Sequence, residues 1–99
     1  MIDGQKQENK ITLQELPAAL EAVLFVHGDP ITCDQLAEIT QMPKEVLEET
    51  LARMMKEYET DPWGGLMIRK VDDSYVMCTK PAMKPVLEKL FAPRSRPPM

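Results

Sequence analysis

Apolar positions along the chain follow a helical period up to Tyr58, a strand period between Leu66 and Thr79, and a helical period again after Pro81. The spacing predicts a first helix that begins between Leu13 and Pro17 and runs to about Val26. At about 100° per residue, Leu16, Leu20, Val23, Leu24 and Val26 form one broad arc, and Ala18, Ala22 and Phe25 fall on the other side. A helix that is apolar on both sides is normally covered on both sides. Two readings of the second side stand together: a surface for another chain, or small alanines that tolerate water.

His27-Gly28-Asp29-Pro30 predicts a turn, and Pro30-Ile31 a short extended segment. Thr32 and Gln35 have the spacing of a capping box, in which the hydroxyl accepts from an orphan amide and the glutamine reaches back. The short helix that follows has Leu36, Ala37 and Ile39 as its apolar stripe. After the break at Gln41-Met42-Pro43, Pro43 takes the first position of a longer helix, where its missing N–H costs nothing. Leu47, Leu51, Met54, Met55 and Tyr58 give that helix one buried face. Two helices joined this closely read as a helix-turn-helix.

Beyond Tyr58 the chain loosens through Pro62 and Gly64-Gly65. Leu66–Val71 and Ser74–Thr79 then predict two strands with Leu66, Ile68, Tyr75 and Met77 on the covered face. Asp72-Asp73 between them lacks the glycine that the tightest hairpin turns prefer, so a slightly longer loop is expected. Lys80-Pro81 opens a last helix with Met83, Val86, Leu87, Leu90 and Phe91 on its apolar side. A start at about Ala82 keeps Pro85 in the first turn, where proline is tolerated. The predicted fold is α+β, mainly α: a winged helix whose hairpin is the wing. It occupies residues 13–92, between a polar, disordered arm (1–12) and a basic, proline-rich linker (93–99).

Ninety-nine residues suit one domain with a modest core. No apolar run approaches the ~20 residues needed to span a bilayer, and the polar N-terminus lacks the apolar segment of a secretory signal. These features predict a soluble intracellular protein. Cys33 and Cys78 lie outside any metal-binding spacing and read as buried free thiols. The net charge is −4. Lys and Arg number 5 against 13 Asp and Glu over residues 1–63, and 7 against 3 over residues 64–99. The helix-turn-helix is therefore in the acidic part and the wing in the basic part.

That asymmetry bears on partners. A winged helix that reads DNA inserts the second helix of its motif into the major groove, which calls for cations and amides on that helix. Here Lys44, Arg53 and Lys56 face Glu45, Glu48, Glu49, Glu57 and Glu59, a local charge of −2 against a polyanion. Arg69, Lys70, Lys80, Lys84, Lys89, Arg94 and Arg96 leave a wing-led DNA contact open beside a plain solvated basic face. Nothing has the spacing of a phosphate loop, a nucleophile–base pair or a metal site, so no catalysis, metal or cofactor is expected. His27 is a lone loop histidine, and adjacent aspartates such as Asp72-Asp73 suit a turn better than a carboxylate pair.

Leu20-Glu21-Ala22-Val23-Leu24-Phe25-Val26, Gly28-Asp29-Pro30-Ile31, Gly65-Leu66 and Tyr75-Val76-Met77-Cys78-Thr79-Lys80-Pro81 together resemble the N-terminal half of the segregation and condensation protein B (ScpB) family. Pro93-Arg94-Ser95-Arg96-Pro97-Pro98 is similar to the linker that joins two winged helices in that family, the second of which is absent here. The resemblance covers roughly residues 15–98. It implies a non-enzymatic, cytoplasmic, nucleoid-associated subunit that homodimerises through this domain. It also implies binding to the ScpA-like kleisin of a bacterial SMC ATPase complex in chromosome condensation and segregation; from the acidic motif helix, no sequence-specific DNA contact is expected. The residues expected at the protein interface are Leu20, Leu24 and Phe25 on the first helix, with Met83, Leu87 and Phe91 near the last. Met67 is a further methionine able to reach a partner.

Overall fold

The computed structural model describes residues 11–91. The first helix, α1 (Leu16–His27), carries Pro17 in its first turn and stops at Gly28, whose φ of +77° is a left-handed cap that glycine adopts without strain. Leu16, Leu20 and Leu24 recur every four residues on one side, and all are essentially fully buried. Thr32 ends the two-residue strand β1 (Ile31–Thr32) and caps α2 (Cys33–Thr40). Its Oγ1 accepts from the Gln35 amide at 3.1 Å, and its own amide donates to Gln35 Oε1 at 3.1 Å, as the capping box requires. The helix ends at Gln41 with φ +63°, and α3 (Lys44–Thr60) begins after Pro43. Pro43 is thus the cap and not the first helical residue, one position earlier than expected, with ψ of 148°.

The wing is β2 (Leu66–Val71) and β3 (Ser74–Thr79), and β1 adds a third antiparallel strand in the order β1-β3-β2. Ile31 pairs with Tyr75 and Thr32 with Ser74, which ties the start of the helix-turn-helix to the wing. Val71 pairs directly with Ser74, so Asp72-Asp73 forms a two-residue turn and the longer loop expected there is not seen. Asp72 has φ +56°; aspartate is one of the few residues besides glycine that tolerates that region. After β3 a single 3-10 turn (Pro81–Met83) precedes α4 (Lys84–Phe91), with Pro85 in its first turn.

Leu36, Leu47, Leu51, Met54, Ile68 and Tyr75 close the core over the α1 leucine row. Several expectations are corrected. Leu66, expected on the covered face of the wing, is exposed, and Cys78, expected to be buried, is only half-buried. Val26 is 80% exposed, because on α1 it lies far round from the leucine row. Ile39 is 53% exposed, and Thr40 takes its place inside, its hydroxyl donating to the Leu36 carbonyl at 2.7 Å. The arm expected over residues 1–12 reaches too far: Ile11 packs on the core, and Thr12 and Glu15 exchange side-chain-to-amide hydrogen bonds ahead of α1. The remainder of that arm and the linker at 93–99 lie outside the described residues.

Thr32→Ala removes an N-cap and should destabilise the chain by about 1 kcal/mol, whereas Leu20→Ala should cost roughly 2–5 kcal/mol through transfer and cavity terms. Urea unfolding checks both; a loss below that of the cap variant for Leu20→Ala would place this side chain outside the core.

Candidate protein-interaction surface

The core uses only one side of α1. Opposite the leucine row lie Phe25, Ala18, Ala22 and Val26, which at about 100° per residue form a single outward stripe. All are exposed, Phe25 at 69%. Glu21 borders the stripe and is held from behind: it accepts a hydrogen bond from the Tyr58 hydroxyl, which joins α1 to the far end of α3. Burial, followed by the bond to Glu21, pushes the Tyr58 phenol up to about 12.

A second apolar face lies on α4. Val86, Leu87, Leu90 and Phe91 share one arc of roughly 140° at about 100° per residue, and Lys84, Glu88 and Lys89 occupy the rest. No residue of α4 is buried, and Leu87 is only half-buried, in a groove that it and Phe91 line with Thr79, Lys80 and Pro81 at the end of the wing. Its exit direction is fixed upstream. The Lys80 amide donates to the Gly65 carbonyl at 2.8 Å, and Lys80 Nζ donates to the Asp61 carbonyl at 2.8 Å.

The structure sorts the residues expected at an interface. Leu20 and Leu24 are corrected: both point into the core and are out of reach of any partner, because they continue the row begun by Leu16. Phe25, Met83 and Phe91 are exposed. On one subunit α1 packs on α2, α3 and β3 while α4 lies by the end of the wing, so the two groups are not brought together. Sequence reasoning missed Trp63. Its indole is 93% exposed on a loop ordered by the Asp61 carboxylate, which accepts from the Trp63 amide at 3.0 Å. The signal was present: an aromatic residue set between proline and glycines has no core position to occupy.

The side that would meet DNA offers a mixed charge. The groove between α3 and the wing is lined by Glu48, Ala52, Met55, Lys56, Glu59, Lys70 and Tyr75. Lys70 Nζ lies 5.9 Å from the centre of the Tyr75 ring, so one wing cation is already engaged. Cys33, buried beneath the neighbouring helix ends, has its thiol pushed up by that burial. Among the described residues no group of His, Cys, Asp or Glu gathers in a way that could hold a metal ion, and no helix is long and apolar enough to cross a membrane.

The class is therefore a winged helix whose reading helix is acidic and whose free surfaces are apolar. A family model for the segregation and condensation complex subunit ScpB matches residues 18–99. The chain belongs to that family. It is 31% identical over 84 residues to the segregation and condensation protein B of Acetivibrio thermocellus, covering 85% of this chain and 42% of that protein. With the Desulforamulus reducens protein of the same name it shares 40% identity over 74 residues, 75% of this chain and 40% of that one. The chain thus spans about two fifths of the length of these curated relatives. The crystal structure of ScpB from Mycobacterium tuberculosis superposes on 91% of this chain and 56% of its own, with a TM-score of 0.80 and 29% identity. A crystal structure of a dimer of an ScpB N-terminal domain complexed with an ScpA peptide shares the fold, with a TM-score of 0.70 at 22% identity over 80% of this chain and 94% of that one.

The Tyr58–Glu21 bond has a pH signature. A phenol raised in the folded chain favours folding fully below the unfolded value of about 10; the contribution declines as pH climbs from there towards about 12. Stability should fall with rising pH across that window, and phenolate absorbance of the native chain should lag that of the denatured chain. Glu21→Gln should shrink both effects, and titration of native and variant chains together reads them out.

Proposed function

We propose that this chain is the self-associating winged helix of an ScpB subunit, acting without catalysis in the bacterial SMC–kleisin complex that condenses and segregates chromosomes. Family membership supports the role, as does the related N-terminal domain that crystallised as a dimer with an ScpA peptide. The observation that carries the reading for this chain is the outward stripe of α1, where Phe25 and Val26 stand in water on a helix whose other side is already packed. Single exposed apolar residues are common and need no account; a contiguous stripe on a helix, in a domain that also exposes a second apolar helix, marks a protein contact. The partners are then a second copy and an ScpA-like kleisin, and through the kleisin the SMC ATPase. The site is cytoplasmic and nucleoid-associated. Residues 93–99 serve in this reading as the linker to a second winged helix.

The alternative is a regulator that contacts DNA through Arg69 and Lys70 of the wing, both exposed. Against it stand the five glutamates of α3 and the mixed charge of the groove beside them.

Sedimentation at tens of micromolar, a range where useful self-association of roughly −6 kcal/mol would be visible, should find a dimer. Phe25→Glu should return it to monomer with unchanged circular dichroism, because the side chain leaves the core untouched. The chain should also co-purify with the kleisin of its own organism. A monomer under these conditions, or duplex binding that collapses with salt and with Arg69→Ala plus Lys70→Ala, would overturn the proposal.

A further inference from the structure

We infer that α4 is an exchanged arm: it crosses to the second copy and lies along the outer stripe of α1 there, while the partner returns its own α4. This rests on the dimer proposed above and adds how the dimer is closed.

Three observations lead to it. The first is the state of α4 itself. A helix that leaves its apolar face in water is marginal, since most helical stability in proteins comes from burying such a face. Here the face is well made, with Val86 61%, Leu90 64% and Phe91 77% exposed, and among the described residues its own subunit half-buries only Leu87. The second is the direction of the arm. Lys80 is pinned by its amide to Gly65 and by its ammonium to Asp61, and the Met83 amide donates to the Lys80 carbonyl at 2.8 Å. The helix is therefore aimed by the end of the wing and not by any attraction of its apolar face to the body.

The third is complementarity. Each copy has one unfilled stripe with small alanines at its middle, Ala18 and Ala22, and one unfilled helix with large side chains. Small residues let a second helix approach closely, and the large ones fill the space. In a two-fold interface whatever one copy gives it also receives, so a second copy satisfies both faces at once. A kleisin segment on α4 would leave the α1 stripe open. One such helix contact is small, but the two-fold repeats it, towards the roughly 1,200–2,000 Å² of stable interfaces. Charge fits it at the edges: Glu88 and Lys89 lie away from Val86 and Leu90, Lys84 flanks Phe91 at the edge of the apolar arc, and Glu21 at the stripe's border accepts from Tyr58 and can face that lysine of the other copy.

The test uses the full chain carrying Cys78→Ser, with buried Cys33 left in place. Phe25→Cys and Leu90→Cys chains are prepared separately, mixed and oxidised. Disulfide-linked dimers should form in the mixture and not with either chain alone. Phe25→Cys chains that link to each other would mean α1 packing on α1, and would overturn the arm while leaving the dimer. A double variant that closes an internal disulfide at high dilution would mean that α4 folds back on its own subunit, with the same consequence. As a second measurement, Leu90→Glu in the unmodified chain should weaken the dimer at least about tenfold, about 1.4 kcal/mol, and Phe25→Lys in the same chain should recover part of the loss. Wild-type affinity for Leu90→Glu overturns the arm. A wild-type monomer in sedimentation removes the dimer and the arm together.

Discussion

Leu16, Leu20 and Leu24 form a row that fills the space between α2, α3 and the sheet, and the arrangement of the domain depends on how that row is buried. Side chains four apart stand above one another on a helix, so the row fixes which way α1 is rotated. Once it is seated, Phe25, Ala18, Ala22 and Val26 have to face out. The core is small and closes over α1 without reaching round it, and the same limit leaves α4 without a surface of its own. Exposed apolar area in this chain is therefore a consequence of the core that exists, and its position is set by three leucines.

Much of the fold was legible because local chemistry and global packing agree. The capping box at Thr32 and Gln35, the break before α3, the period of Leu47, Leu51 and Met54, and the alternation in the wing each point to one conformation. Legibility failed where a pattern allowed two answers. On α1 apolar residues occur on all sides, so periodicity could divide the helix into arcs but could not say which arc is inside. Periodicity thus groups Leu20 and Leu24 with Phe25 as contact residues, although only Phe25 faces outward. At Asp72 the absence of glycine suggested a longer loop, yet aspartate tolerates the left-handed backbone that the short turn demands. Trp63 escaped because a lone aromatic in a loop has no period to betray it.

Charge then selects among the uses of the fold. The helix that would lie in a DNA groove is the acidic one, and Lys70 of the wing shares a groove with Glu48 and Glu59 and lies over the Tyr75 ring. Removing charge from α1 has the opposite effect. Its single body carboxylate, Glu21, is drawn towards Tyr58 at the border of the stripe, and Phe25, Ala18, Ala22 and Val26 themselves carry no polar side chain. Membership of the ScpB family accords with the winged-helix frame, and the proposed role gives its free surfaces to proteins.

The central claim is that the outward stripe of α1 is covered by another chain. Solution NMR on an equimolar mixture of isotope-labelled and unlabelled chains reads this directly, since only contacts between copies cross the isotope filter. The account predicts cross-peaks from the Phe25 ring of one chain to aliphatic methyl groups of the other. A Phe25 ring with no intermolecular contacts, in a chain that tumbles as a monomer at the same concentration, would contradict it.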